Sequence, residues 1–293
     1  LSVYFIIQTA GPALGTAMVG LPDPSGNLLF GVTSILLSVA IVPLLLSNIR
    51  APDYSAPDRM PVTRLYKVSP MTVLGIVIMG AGVVAWYISL PLYALQNGFS
   101  EAQASGALVI ALVASALVQY PVGWLSDRTD RRYVVIALSG ISAVVALWMA
   151  VDTAPSRIVV GFSVIAATTL PIYSILAAHA NDQLQPGQGV PASGTMGFLL
   201  QLGQFFGILI GPNMISVADG RGLQYLLIGV GVTVALIAIA RRATSEAPED
   251  TGEFQAMGVI GVAQPGVLQA ESWAEEEETS VSSGGHEESS EIR

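Results

Sequence analysis

Cysteine is absent from the 293 residues, which excludes a disulfide framework, a thiolate metal site and a thiol nucleophile. Charge is scarce too. Only 11% of the residues are Asp, Glu, Lys or Arg, against roughly 25% in soluble domains. With two histidines, no nucleophile motif and no phosphate-binding loop, an enzyme is the weakest reading, and neither a metal nor a cofactor is expected. No basic patch marks a nucleic-acid partner. Residues 1–20 lack the basic start and small-residue cleavage site of a signal peptide and open inside an apolar run.

Apolar sequence is what the chain has in excess, at 52% hydrophobic residues. A helix needs about 20 mainly apolar residues to cross a bilayer. Eight stretches qualify: 1–20, 28–48, 70–95, 103–124, 133–151, 156–180, 193–217 and 221–240, none with a charge near its middle. Gaps such as "PDPSGN", "QNGFS", "DTAPS" and "ADGRG" separate them. The expected class is therefore an all-α, multi-pass membrane protein surrounded by lipid.

Lysine and arginine in short loops favour the cytoplasm. If the spans alternate, Arg50, Arg59, Arg64, Lys67, Arg128, Arg131, Arg132, Arg241 and Arg242 fall on one side, and Arg157 and Arg221 on the other. That places the C-terminus in the cytoplasm; the expected location is the plasma (inner) membrane. The 181–192 loop, also inside, has no basic residue. The net charge of −9 comes from the end of the chain: residues 243–293 hold 12 of the 21 acids and one arginine. Such a segment, rich in Ser and Gly, is expected to be a disordered, solvated tail.

A repeat runs through the apolar part. "GPALGTAMVGLPDPSGNLLFGV" from Gly11 resembles "GILIGPNMISVADGRGLQYLLIGV" from Gly207, with Asp23 and Asp219 each twelve residues further on. The pairs Gly11/Gly15 and Gly207/Gly211 have the small-xxx-small spacing that lets membrane helices approach closely. Parallel repeats relate the halves of many transporters. The first span would then match the seventh, so the eight spans are expected to be the last eight of twelve.

The densest charge lies in "PVGWLSDRTDRR", residues 121–132. It resembles the G-x-x-x-D-R-x-G-R-R signature of the major facilitator superfamily, whose members have twelve spans in two six-span bundles and carry the signature after the second and eighth spans. In the twelve-span frame this turn follows the eighth. "SLPLYALQNGFSEAQAS" and the stretch from Pro171 to Pro212 resemble a bacterial sugar or drug–proton antiporter branch. The likeness covers about 1–242. It implies four parts: residues 1–48 end the first bundle, 49–69 link the bundles, 70–242 form the second bundle, and 243–293 are the tail.

The resemblance further implies that Gly123 permits close helix contact and that Asp127 meets a neighbouring helix N-terminus and basic side chains. Arg128, Arg131 and Arg132 would pair with acids or headgroups, so that the knot gates the cytoplasmic side. Asp130 stands where the family has Gly, and Asp tolerates a left-handed turn.

A solute path is expected near the midplane, lined by polar and aromatic groups on spans broken by Pro or Gly. The candidates are Trp86, Tyr87 and Tyr93 around Pro91, Gln119 and Tyr120 before Pro121, Thr169 and Tyr173 around Pro171, and Gln201 and Gln204 after Gly197. His179 and Asp182, at i and i+3, are the candidates for binding a proton or for gating. The reading is a monomeric secondary transporter of a small solute, driven by protons. The competing reading is a transporter-like sensor that signals through its tail.

Overall fold

The computed structural model of the chain describes residues 27–46, 60–185 and 187–244, with five single positions between Gly11 and Met18. Most of the expected span at 1–20, residues 49–59 of the expected 49–69 linker and nearly all of the acidic tail lie outside the described residues. In chain order the helices are α1 (Leu28–Leu46), α2 (Val62–Val68), α3 (Pro70–Gln96), α4 (Glu101–Arg128), α5 (Arg131–Met149), α6 (Pro155–Asn181), α7 (Gly189–Met214) and α8 (Gly222–Thr244). Among the described residues no strand occurs. Helices α3 to α8 are long and apolar enough to cross a membrane.

Local chemistry sets where the helices start. Proline, whose fixed φ suits the first turn and whose missing N–H costs nothing there, opens α3 at Pro70 and α6 at Pro155. Ser100 and Gln103 open α4 with reciprocal bonds: the Ser100 N–H donates to Gln103 Oε1 at 2.9 Å, and the Gln103 N–H donates to Ser100 Oγ at 3.3 Å. Gly98, at φ 86°, turns the chain out of α3 as an L side chain rarely could. Helix α7 begins at Gly189, four residues before the expected span, because Pro191 falls in its first turn, where no intrahelical N–H bond is lost.

Packing centres on α3 and α6. Helix α3 touches α4, α6, α7 and α8, and 78% of the apolar stretch of α6 is buried, against 33% for α8. Tyr93 of α3 and Phe162 of α6 meet edge to face with centroids 5.9 Å apart, a contact contributing about 0.5–1.5 kcal/mol beyond its buried area. Most hydroxyls in this apolar interior are bonded: Thr72 Oγ1 donates to the Leu176 carbonyl across α3 and α6 at 2.8 Å, and Ser139 Oγ donates to the Val135 carbonyl at 2.6 Å, whereas the buried Ser89 and Ser115 hydroxyls meet no partner among the described residues. By contrast, every described side chain of α1 is at least partly exposed.

The closest approach joins α3 to α7. Gly203, Gly207 and Gly211 lie one turn apart along α7 and face Val77, Ala81 and Ala85 of α3. A Cβ on Gly203 or Gly207 would meet the Val77 or Ala81 carbonyl oxygen, and one on Gly211 would lie 2.7 Å from Ala85 Cα. The small-xxx-small reading of Gly207/Gly211 therefore describes a real backbone-to-backbone contact, extended by a third glycine. Gly11 and Gly15 have nothing within 4 Å among the described residues.

One expectation about the turn is corrected. Asp130 has φ −57°, outside the left-handed region. It is the N-cap of α5, its Oδ1 accepting the Arg132 N–H at 3.0 Å, a role in which Asp is among the preferred residues. Helix α4 also runs one turn past the expected 103–124, so Asp127 and Arg128 are helical and only Thr129 and Asp130 separate α4 from α5.

Candidate functional site

Four helix ends meet at one face of the bundle. Arg131, in the first turn of α5, is 1% exposed. A buried guanidinium is costly unless its donors are satisfied. Here Nε donates to Asp182 Oδ2 at the end of α6 (2.8 Å), and Nη1 donates to Asp127 Oδ1 (3.1 Å) and Ser126 Oγ (3.1 Å) in the last turns of α4. The Asp182 side chain is 1% exposed and that of Asp127 is 29% exposed. The neighbouring Arg132 is also buried. Its Nε lies 3.1 Å from both carboxylate oxygens of Asp130, and Nη1 donates to the Arg241 carbonyl of α8 at 3.3 Å. Two adjacent arginines thus tie α4, α5, α6 and α8 together, and Gly123 is buried one turn above them.

The third arginine of the motif behaves differently. Arg128 is exposed, lies 4.2 Å over the Trp124 ring and donates to the Trp124 carbonyl at 3.3 Å. His179 is buried beside this knot, where its Nε2 lies 2.9 Å from the Gln183 side-chain nitrogen, which also donates to the His179 carbonyl at 3.0 Å. The structure thus bonds Asp182 to Arg131 and His179 to Gln183. Sequence reasoning missed Ser126, Gln183 and the Arg241 carbonyl. Gln183 stands four residues after His179, a spacing that could have found it; Ser126 and the Arg241 carbonyl are partners across a turn or through the backbone, which no spacing rule reaches.

The path candidates divide into three groups. Trp86, Tyr93, Thr169 and Tyr173 are buried where α3 meets α6, and Gln119 is buried on α4. Trp86 Nε1 donates to Thr169 Oγ1 at 3.1 Å, and Thr169 Oγ1 donates on to the Ile165 carbonyl at 2.7 Å. Tyr87 and Gln204 are half-buried, Tyr87 edge-on to Trp86 at 5.9 Å. Tyr120 is 79% exposed, and Gln201, midway along α7, is also exposed. No group of three or more His, Cys, Asp or Glu side chains suited to a metal occurs among the described residues.

The charges sort by end. Arg64, Lys67 and the five arginines at 128, 131, 132, 241 and 242 belong to the end where α3 begins and α4, α6 and α8 finish. Arg157 and Arg221 belong to the other end.

Comparison with known proteins converges on the same turn and bundle. A model of the Major Facilitator Superfamily matches residues 72–275. An uncharacterized MFS-type transporter of Enterobacter sp. is 26% identical over 252 residues, which cover 83% of this chain and 63% of that protein. The MFS-type transporter YcaD of Escherichia fergusonii is 24% identical over 251 residues, and that of Salmonella arizonae 26% over 254, with the same coverage. The chain therefore spans 63% of the length of these relatives. From six apolar helices, a signature turn whose two buried arginines bind four helix ends, and a family match over most of its length, the chain belongs to the major facilitator superfamily.

Proposed function

We propose that the protein is a secondary active transporter that moves a small solute by alternating access, driven by protons. In this reading residues 70–242 are the second of two bundles, 49–69 link it to the first, and the basic end faces the cytoplasm. The observation that carries it is the arginine knot. Arg131 and Arg132 bind α4, α5, α6 and α8 at one end, and the glycine seam fuses α3 to α7. A bundle stitched in this way rocks as one body, as alternating access between repeats requires. Asp127, bonded to Arg131 and the most exposed acid of the knot, is the one whose outer side would meet a neighbouring helix.

Gln201 marks the path. An amide in the middle of a membrane span is unfavourable against lipid, so an exposed Gln201 suits a wall facing water and solute, with Gln204 and Tyr87 nearer the helix contacts.

The test is flux. The complete protein is reconstituted into proteoliposomes enclosing a pH-sensitive dye, and sugars and flat amphiphilic cations are added one at a time. At least one solute is expected to move protons, and Gln201→Leu to weaken that response by about 10-fold, roughly the loss of a hydrogen bond to a polar solute. If solutes bind, as read by tryptophan fluorescence, but never move protons or themselves, the transport reading fails and the sensor reading takes its place.

A further inference from the structure

We propose that the basic end of the bundle binds an anionic phospholipid headgroup through Arg128 and Arg242. The three described carboxylates of the knot, Asp127, Asp130 and Asp182, are engaged by the buried Arg131 and Arg132. Arg128 and Arg242 are exposed and meet no carboxylate among the described residues. This end therefore keeps its internal charges neutralised and presents two positive ones outward.

Both cations are held in the same way. The Arg128 guanidinium lies 4.2 Å over Trp124, and the Arg242 guanidinium lies 4.3 Å over Tyr133. Both rings are about half exposed. Trp and Tyr sit at headgroup depth in membranes. A guanidinium stacked on such a ring is already ordered; Arg128 gives one N–H to the Trp124 carbonyl and keeps its other donors for a ligand. The N–H edge of a guanidinium matches the two oxygens of a phosphodiester. Arg132 brings the two flanks together, since its bond to the Arg241 carbonyl holds the last turn of α8 against the first turn of α5. The N-terminus of α5 is not the ligand site, because the Asp130 side chain already takes its free N–H. Exposed Arg64 and Lys67 on α2 add positive charge at the same end.

The occupant is a lipid phosphate rather than the acidic tail, because the seats are Trp and Tyr near the ends of membrane-length helices, the residues that favour headgroup depth. The proposal needs only a membrane-embedded bundle. It does not rest on transport, so the flux assay and the lipid assay can fail separately.

The test titrates the complete protein in neutral detergent with phosphatidylglycerol or phosphatidylcholine and counts bound lipid by native mass spectrometry. Each surface arginine contributes about 1 kcal/mol toward anionic lipid, so phosphatidylglycerol should bind about 30-fold more tightly than phosphatidylcholine. Arg128→Gln/Arg242→Gln should abolish that preference while the helical circular-dichroism signal is unchanged. If the double variant loses helix, Arg128→Gln and Arg242→Gln alone carry the reading, at about 5-fold each. Raising salt should weaken the preference. Equal binding of the two lipids, or full preference in the glutamine variants, overturns the proposal. A full-length variant with Glu275–Glu278 changed to glutamine should bind as the natural chain does. If it binds phosphatidylglycerol far more tightly, the tail is the occupant and the proposal is wrong.

Discussion

Replacing Gly203 by alanine is expected to lower the thermal midpoint of the detergent-purified protein markedly, while the same change at Gly194, about two and a half turns away on the same helix, raises it. In a helix interior alanine is better than glycine by about 0.8–1 kcal/mol. At Gly194 a Cβ meets nothing within 4 Å, so that gain is kept. At Gly203 the Cβ meets the Val77 carbonyl oxygen, and backbone cannot rotate away as a side chain can. Forcing atoms into such a contact costs about 1–3 kcal/mol and occasionally more, enough to reverse the sign. Gly207→Ala, against the Ala81 carbonyl, should behave as Gly203→Ala does. Gly203→Leu should give no monodisperse protein on size exclusion. Equal midpoints for Gly194→Ala and Gly203→Ala would mean that α3 and α7 do not meet through these glycines.

Arg131→Ala carries the second large expected effect. It takes from the buried Asp182 carboxylate its 2.8 Å ion pair and removes the bonds from α5 to α4 and α6. Breaking a buried pair by deleting one partner costs about 3–5 kcal/mol, whereas replacing both partners with apolar groups is often close to neutral. The double variant Arg131→Ala/Asp182→Ala should therefore be much less destabilised than the sum of its singles, and a thermal-unfolding cycle measures the difference. Arg128→Ala lies outside the buried pair and should shift the midpoint little. Additive losses for Arg131 and Asp182 would show that the two are not coupled.

Much of this fold could be read in advance because the signal is compositional. Apolar runs of membrane length, broken by Pro, Gly, Asp and Asn, gave the helices to within a few residues from 70 to 244. The small-xxx-small rule found Gly207 and Gly211 but stopped short of Gly203, which obeys the same spacing. The charge knot was visible as a motif, but its wiring was not. The resemblance implies that Arg131 and Arg132 pair with acids or headgroups, but not which acids, nor that both side chains are buried as internal ties. That burial depends on Asp182, 51 positions away, and on the Arg241 carbonyl, 109 positions away. Asp130 differs for another reason: Asp both tolerates a left-handed turn and caps helix N-termini, and here the start of α5 selects the second role. Among the path candidates, polarity and face were legible while exposure was not, so Tyr93, buried against Phe162, and the open Gln201 looked alike.

These 293 residues contain no cysteine, so once any cysteine elsewhere in the complete protein is replaced, a single introduced one can test alternating access most directly. Gln201→Cys, in the complete protein, is labelled with a membrane-impermeant maleimide in right-side-out and in inside-out vesicles. If Gln201 lines a path that opens to each side in turn, the cysteine reacts in both preparations, and a transported solute slows both reactions. Labelling from one side only, or from neither, would contradict alternating access at this wall.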